Sequence, residues 1–278
     1  VRGADAARAV PVLHSGGGAG RLASVGASAP KVPPALADEL GLAVSDIPWH
    51  TQRDRLCDVA AALGGMIATL GKLARDISLL AQTEVGEARE PAAPGRGGSS
   101  TLPHKRNPVG CAIALAAAVR APNLVATMLA AAVQEHERGL GDWPAEWDAL
   151  PDLCELAAGA LAAMAGLVEG LDVDAARMRA NLDATHGQIL AEAVQMALAA
   201  HVGRDVAHTL VADVAKEASR AGADLGPALK ADPRVTRWLD ARAIDALMDP
   251  AQYLGLAGAF VDRVLAAHAA HRPSRAAH

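Results

Sequence analysis

Chemistry in this chain concentrates between Pro94 and Pro108, which read Pro-Gly-Arg-Gly-Gly-Ser-Ser-Thr-Leu-Pro-His-Lys-Arg-Asn-Pro. Ser99, Ser100 and Thr101 supply hydroxyls, and His104, Lys105 and Arg106 follow as a basic triplet. Gly95, Gly97 and Gly98, set between prolines, bar a helix or a central strand from running through the stretch. It is therefore a loop. Asn107 stands where a helix N-cap belongs, with Pro108 at the first helical position and an apolar run behind it. The loop delivers hydroxyls and cations to the start of a buried helix, whose positive end and free N–H groups favour an anionic ligand.

The elements that must carry this loop are helical. Hydrophobic residues make up 51% of the 278-residue chain but aromatics only 2%, so Ala, Leu and Val fill the interior. That composition favours closely packed helices over sheets. A short helix over 34–40 ends at Gly41. A long helix then opens near Trp49 to Arg55, with Thr51 as N-cap, and runs to about Val85. Its apolar residues recur at Leu56, Ala60, Leu63, Ile67, Leu70 and Ile77, helical spacing throughout. A second long helix spans Pro108 to about Glu137, with a bend at Pro122. Residues 139–147 read as a loop carrying Trp143 and Trp147, and a third helix covers 152–169. Shorter, more charged helices follow at 174–182, 188–201, 206–222 and 250–271. The fold class is all-α, with a long-helix bundle domain over residues 1–171 and a small helical domain with a polar tail over 172–278.

Other motifs fail on their own terms. The run Gly16-Gly17-Gly18-Ala19-Gly20-Arg21 lacks the Lys-Ser/Thr of a P-loop, and Arg21 occupies the last glycine of a dinucleotide fingerprint, so it reads as a tight turn. His136-Glu137 would need a histidine at 140 to make a zinc motif, and Leu140 stands there. His201 and His208 lie seven apart with no third ligand between them. Cys57, Cys111 and Cys154 are separated along the chain and read as buried thiols in helices, not as a disulfide frame. The net charge of −5 argues against nucleic acid as a partner. The apolar stretch Val109 to Val119 ends at Arg120, too short to span a bilayer. No signal peptide opens the chain, and the expected location is cytoplasmic. No cofactor or metal site is expected.

The order of residues in the loop is more specific than its composition. Gly98-Ser99-Ser100-Thr101-Leu102-Pro103-His104-Lys105-Arg106-Asn107-Pro108 resembles the Gly-Ser-Ser-x-Met-Pro-x-Lys-x-Asn-Pro signature of the fumarase/aspartase superfamily, departing from it where Leu102 replaces Met. The glycine run resembles that superfamily's Gly-Ala-x-Gly-Thr segment, with Arg21 in place of Thr. Thr51-Gln52-Arg53 resembles a segment lining its active sites. Members form or break a C–O or C–N bond beside a carboxylate, by proton transfer at the adjacent carbon. A closing loop excludes water, and fixed cations stabilise the developing dianion. The resemblance implies Ser99 as the catalytic proton-transfer residue. Ser100, Thr101, His104, Lys105, Asn107, Arg138, Gln52 and Arg53 would be substrate-binding residues. Metals and organic cofactors are not required.

Within the superfamily, Pro-His-Lys-Arg-Asn-Pro is shared by adenylosuccinate lyases and 3-carboxy-cis,cis-muconate cycloisomerases. The tract from Gln134 to Trp147 lacks the serines with which the former grip a nucleotide phosphate. It is similar to the cycloisomerases, as are 49–55, 83–87 and 249–255. The implied substrate is a small tricarboxylate of protocatechuate breakdown, and the implied assembly a homotetramer whose active sites draw on three subunits. The alternatives are an adenylosuccinate lyase-like C–N lyase or a non-catalytic helical scaffold. By the same resemblance the family's N-terminal domain and the first part of its bundle lie outside this sequence, so the chain by itself is expected to be weakly active or inactive.

Overall fold

The computed structural model describes residues 12–17, 20–91, 97–98 and 106–271. Contacts divide the chain into two units, Val1–Val173 and Asp174–His278.

In the first unit, strand β1 (Val12–Leu13) pairs in parallel with β2 (Ala43–Val44) across helix α1 (Val32–Leu40). Gly41 ends α1 with φ at 65°, a left-handed cap in which its N–H reaches back to the last turn. Three long helices follow: α2 (Asp54–Leu80), α3 (Val109–Ala131) and α4 (Asp142–Glu169). Small residues set how closely they pack. A Cβ on Gly71 would come within 2.6 Å of the Ala118 Cβ, and one on Gly64 within 2.7 Å of a Val125 methyl. The Cys57 thiol meets the Met128 carbonyl at 3.5 Å. Descending positions on α2 thus face ascending positions on α3, so the two run antiparallel. The core they share with α4 is small-residue packing: Ala60, Ile67 and Ala74 against Cys111, Ala114 and Met128, closed by Leu153, Ala160 and Met164. Alanine-rich faces compensate for the missing aromatics by close approach.

Several boundaries differ from the expected ones. Arg53, not Thr51, is the N-cap of α2; the Thr51 hydroxyl donates to the His136 carbonyl at 3.0 Å, tying two loops together. Helix α2 stops at Leu80 and α3 at Ala131, earlier than the apolar pattern indicated. Helix α4 starts at Asp142, ten residues before the expected start, and so holds Trp143 and Trp147 on a helix. Pro144 lies in its first turn, where the missing N–H has no intrahelical partner to lose. Pro151 lies further inside. Cys154 is exposed, whereas Cys57 and Cys111 are buried as expected.

The length argument against a membrane span also fails. Helix α3 continues through Arg120 and Pro122, and α2, α3 and α4 are each long and apolar enough by length and composition to cross a bilayer. In this unit one face of each packs on the others, while Val119, Leu129 and Leu161, and Val133 just past α3, remain exposed.

The second unit consists of α5 (Ala175–Asp183), α6 (Ala191–Val202), α7 (Arg204–Ala221), α8 (Leu225–Ala231), α9 (Pro233–Thr236), α10 (Ala241–Leu247) and α11 (Ala257–His271). The sequence pattern missed α8 to α10, which are shorter than the windows that reveal periodicity. Asp174, Asp232 and Asp240 cap helices by accepting backbone N–H groups. Arg234 beside Asp232 holds that carboxyl below the usual carboxylate range. Val194, Leu198, Val211, Leu225, Leu229 and Ile244 form the core of this unit. His201 stacks on Trp238 at 5.6 Å, and the exposed His208 meets the Gln195 side chain at 3.2 Å.

Candidate functional site

The loop end of the bundle is built by short ties. Strand β3 (Ala88–Arg89), which leads toward the signature loop, pairs antiparallel with β4 (Asp172–Val173), just past α4. The two stems of the loop meet where Asn107 N–H donates to the Gly97 carbonyl at 2.8 Å and Gly98 bridges Arg106. Gly97 is confined to glycine twice over: its φ is 67°, and a Cβ there would sit 2.7 Å from the Asn107 carbonyl oxygen. Arg106 lies 3.8 Å from Asp172, a weak exposed pair. Ser99, Ser100, Thr101, His104 and Lys105 fall outside the described residues.

The start of α3 departs from the expected anion site. Pro108 is its N-cap and makes no side-chain cap, so Asn107 does not fill that role. The carboxylate of Glu90 caps the helix instead, accepting from Gly110 N–H at 3.0 Å and Cys111 N–H at 2.8 Å. The helix terminus does bind an anion, and the anion is internal. Burial, reinforced by Glu90, pushes the Cys111 thiol up to about 12.

The opposite end gathers three segments far apart in sequence. Arg53, 9% exposed, donates from Nε to both carboxylate oxygens of Glu146 at 2.9 and 3.1 Å, and its Nη2 also contacts Glu146. Its Nη1 donates to the His50 carbonyl at 3.1 Å. Glu146 is 3% exposed and accepts in addition from the Gln134 amide at 3.2 Å. The Arg53 guanidinium is thereby committed to holding the His50 turn against α4, and Gln52 beside it is exposed. Rings line the same end. His14 lies 5.2 Å from Trp49 and 5.6 Å from His50, and His50 lies 4.6 Å from Trp143. Arg138 sits 5.2 Å over Trp143 and reaches the Gly17 carbonyl at 3.5 Å. Among the described residues, the Nε2 atoms of His14 and His50 are buried without a hydrogen-bond partner. Desolvation first, then Arg53 and Arg138, lower the His14 pKa; desolvation, Arg138, His14 and Arg53 lower that of His50 against an opposing pull from Glu146. Both imidazoles are held toward the neutral form. The Arg138 cation lies over a ring face, and the two imidazoles turn ring nitrogens inward, so this end can offer hydrogen bonds to a small polar ligand. Of the residues expected from the sequence to bind substrate, Gln52, Arg53 and Arg138 lie at this end, beside His14, His50, Trp143 and Glu146, which the sequence did not single out.

The two ends do not meet. Helix α3 separates them with 23 residues, and at helical rise that is about 34 Å. Within one chain, Asn107 and the stems beside Ser99 lie at one end, and Arg53 and Arg138 at the other.

Comparison with known proteins places this geometry. Residues 2–122 match a family described as Lyase, and residues 187–264 one described as Adenylosuccinate lyase C-terminus. A 3-carboxy-cis,cis-muconate cycloisomerase of Pseudomonas aeruginosa is 56% identical over 257 residues, 92% of this chain and 56% of that protein. A nitrosuccinate lyase of Streptomyces davaonensis is 43% identical over 95% of this chain and 57% of its own length. The crystal structure of 3-carboxy-cis,cis-muconate lactonizing enzyme from Pseudomonas putida superimposes with a TM-score of 0.87 at 47% identity, covering 95% of this chain and 58% of that one. The chain thus spans little more than half the length of the relatives it matches. Its all-helical architecture is theirs, lyase matches fall in both of its units, and the chain belongs to the fumarase/aspartase superfamily of lyases.

Proposed function

We propose that this chain carries part of the active sites of a 3-carboxy-cis,cis-muconate cycloisomerase, which interconverts that tricarboxylate and 4-carboxymuconolactone. The observation that carries the reading is the closed base of the signature loop, Asn107 on Gly97, in a chain 56% identical over 92% of its length to a cycloisomerase. In lactonisation a substrate carboxylate oxygen bonds to a diene carbon. The displaced π electrons move toward the other carboxylate, and a proton from Ser99 completes the C–H bond at the carbon next to it. Solvent restores the Ser99 proton, and the reverse elimination uses Ser99 as base. Lys105, His104 and Asn107 hold carboxylate at the loop end, with Ser100 and Thr101 assisting. Arg138 holds it at the other end, with Gln52 alongside and Arg53 supporting through His50.

A single small substrate cannot touch both ends of one bundle about 34 Å long. We therefore assign the two ends to different active sites, each completed by other copies in a homotetramer. The exposed apolar residues Val119, Leu129 and Val133 then serve contacts between copies, with no membrane or nucleic acid involved. The location follows as cytoplasmic.

The test follows diene absorbance of 3-carboxy-cis,cis-muconate with the chain mixed with the N-terminal portion of the Pseudomonas aeruginosa relative. Turnover lost in Ser99→Ala is the expected result. Turnover that survives Ser99→Ala overturns the proton-transfer role, and cleavage of adenylosuccinate instead favours a C–N lyase. The match to the adenylosuccinate lyase C-terminus over 187–264 is the specific reason to run that arm. Absence of both reactions leaves the scaffold reading.

A further inference from the structure

We propose that Glu90 is a positioning residue for the signature loop, fixing the register of its two stems; this rests on the reading of Ser99 as the proton-transfer group. Glu90 directly precedes Pro91, on the stem that enters the loop. Its carboxylate grips Gly110 and Cys111, just beyond the stem that leaves it. One side chain therefore spans both sides of the loop base. The fit is close: a Cβ on Gly110 would stand 3.2 and 3.3 Å from the two Glu90 oxygens, so glycine at 110 leaves the carboxylate room to reach both N–H groups. The incoming stem is fixed from behind as well, because Ala88–Arg89 pairs with Asp172–Val173 and Pro91 packs on Gly170, where a Cβ would meet it at 2.8 Å. Asn107 on Gly97 then closes the stems.

The arrangement does more than cap a helix. Without the carboxylate, α3 keeps its packed core and the N–H groups of Gly110 and Cys111 lose an acceptor, so the register of Asn107 relative to Gly97 is what loosens. The carboxylate also occupies the helix terminus, which leaves substrate carboxylates to the side-chain cations and selects against an anion binding at α3 itself. A displacement of about 1 Å in a reacting group costs on the order of 10²-fold in rate.

The experiment compares wild type with Glu90→Gln and Glu90→Ala. Amide hydrogen exchange is measured on the chain itself, and turnover in the mixture with the N-terminal portion of the Pseudomonas aeruginosa relative. The expected result in Glu90→Gln is exchange at residues 107–112 faster by roughly tenfold or more with the rest of the bundle unchanged. The kcat falls on the order of 10²-fold with little change in KM. The limbs of the pH profile stay where they are, since Glu90 moves no proton to substrate. Unchanged exchange and kcat overturn the proposal, and so does global loss of protection in both variants, which would make Glu90 a fold residue alone. A lost limb of the pH profile overturns it in favour of acid–base participation. If wild type itself gives no turnover, the assigned activity fails, and exchange at 107–112 still decides whether Glu90 sets the stems.

Discussion

The bundle holds a carboxylate at each end, and the two are satisfied in opposite ways. Glu90, at the loop end, is met by two peptide N–H groups of α3. Glu146, at the other end, is met by a guanidinium and an amide in a nearly dry setting, with Arg53 at 9% and Glu146 at 3% exposure. Peptide N–H groups carry no net charge, so the Glu90 site leaves no buried charge behind when it is broken. The Arg53 site does. One end can therefore be tuned without endangering the fold, and the other is part of it. The end entrusted to tunable contacts is the one that carries the signature loop.

Breaking the ion pair is the largest expected effect. Glu146→Ala leaves Arg53 buried and unpaired and should cost about 3–5 kcal/mol by denaturant unfolding. Glu90→Ala should cost roughly 0.5–2 kcal/mol, the range of a lost helix cap. Replacing both partners, Arg53→Met with Glu146→Leu, should recover most of the first loss, because the penalty lies in the orphaned charge. Equal costs at the two ends would break the contrast. The middle of the bundle sharpens it. Gly71→Ala puts a methyl where the Ala118 Cβ stands 2.6 Å away and should cost about 1–3 kcal/mol. It should lower amide protection at both ends together, whereas each terminal substitution acts on its own end first.

How much of this was legible beforehand depended on range. The three long helices, the Gly41 cap and the loop around Ser99 follow from local chemistry: periodic apolar residues, a glycine past the last turn, glycines between prolines. The boundaries went wrong where a distant partner decided them. Thr51 is a good N-cap by type, yet its hydroxyl goes to His136, 85 residues on. Asn107 and Pro108 look like a complete helix start, yet Glu90, just past strand β3, supplies the cap. Trp143 to Trp147 looked like a loop because Pro144 and the flanking glycines read as breakers, but a proline in a first turn breaks nothing. At the arginine end, Arg53 and Arg138 were singled out because their segments carry a family resemblance. Glu146 and the two histidines were not, since their value lies in meeting across 93 residues of sequence or more than 30. The placement of the site residues at opposite ends was beyond any local signal, because it follows only once Arg53 is seen to pair with Glu146 past the far end of α3.

The smallest effect distinguishes the ends by pH. His14 and His50 both have pKa values lowered from the ordinary 6.5, chiefly by desolvation and then by the neighbouring Arg53 and Arg138 charges. A histidine that resists protonation when folded binds fewer protons than it does unfolded below its ordinary pKa. Stability therefore rises with pH across that window. The contribution is fully present above about 6.5 and is lost as pH falls from there toward the folded values. Tm should accordingly decline from pH 7.5 to 5.5, and amide exchange over 49–53 and 134–141 should quicken before that over 107–112. Glu146 opposes the downward shift of His50, so Glu146→Gln should push the His50 titration, followed by NMR of its ring protons, further down while leaving the Glu90 contacts untouched. A His50 titration that instead moves up on loss of Glu146, or a low-pH loss of protection that begins at Gly110 and Cys111, would mean that the charge balance of this end has been read with the wrong sign.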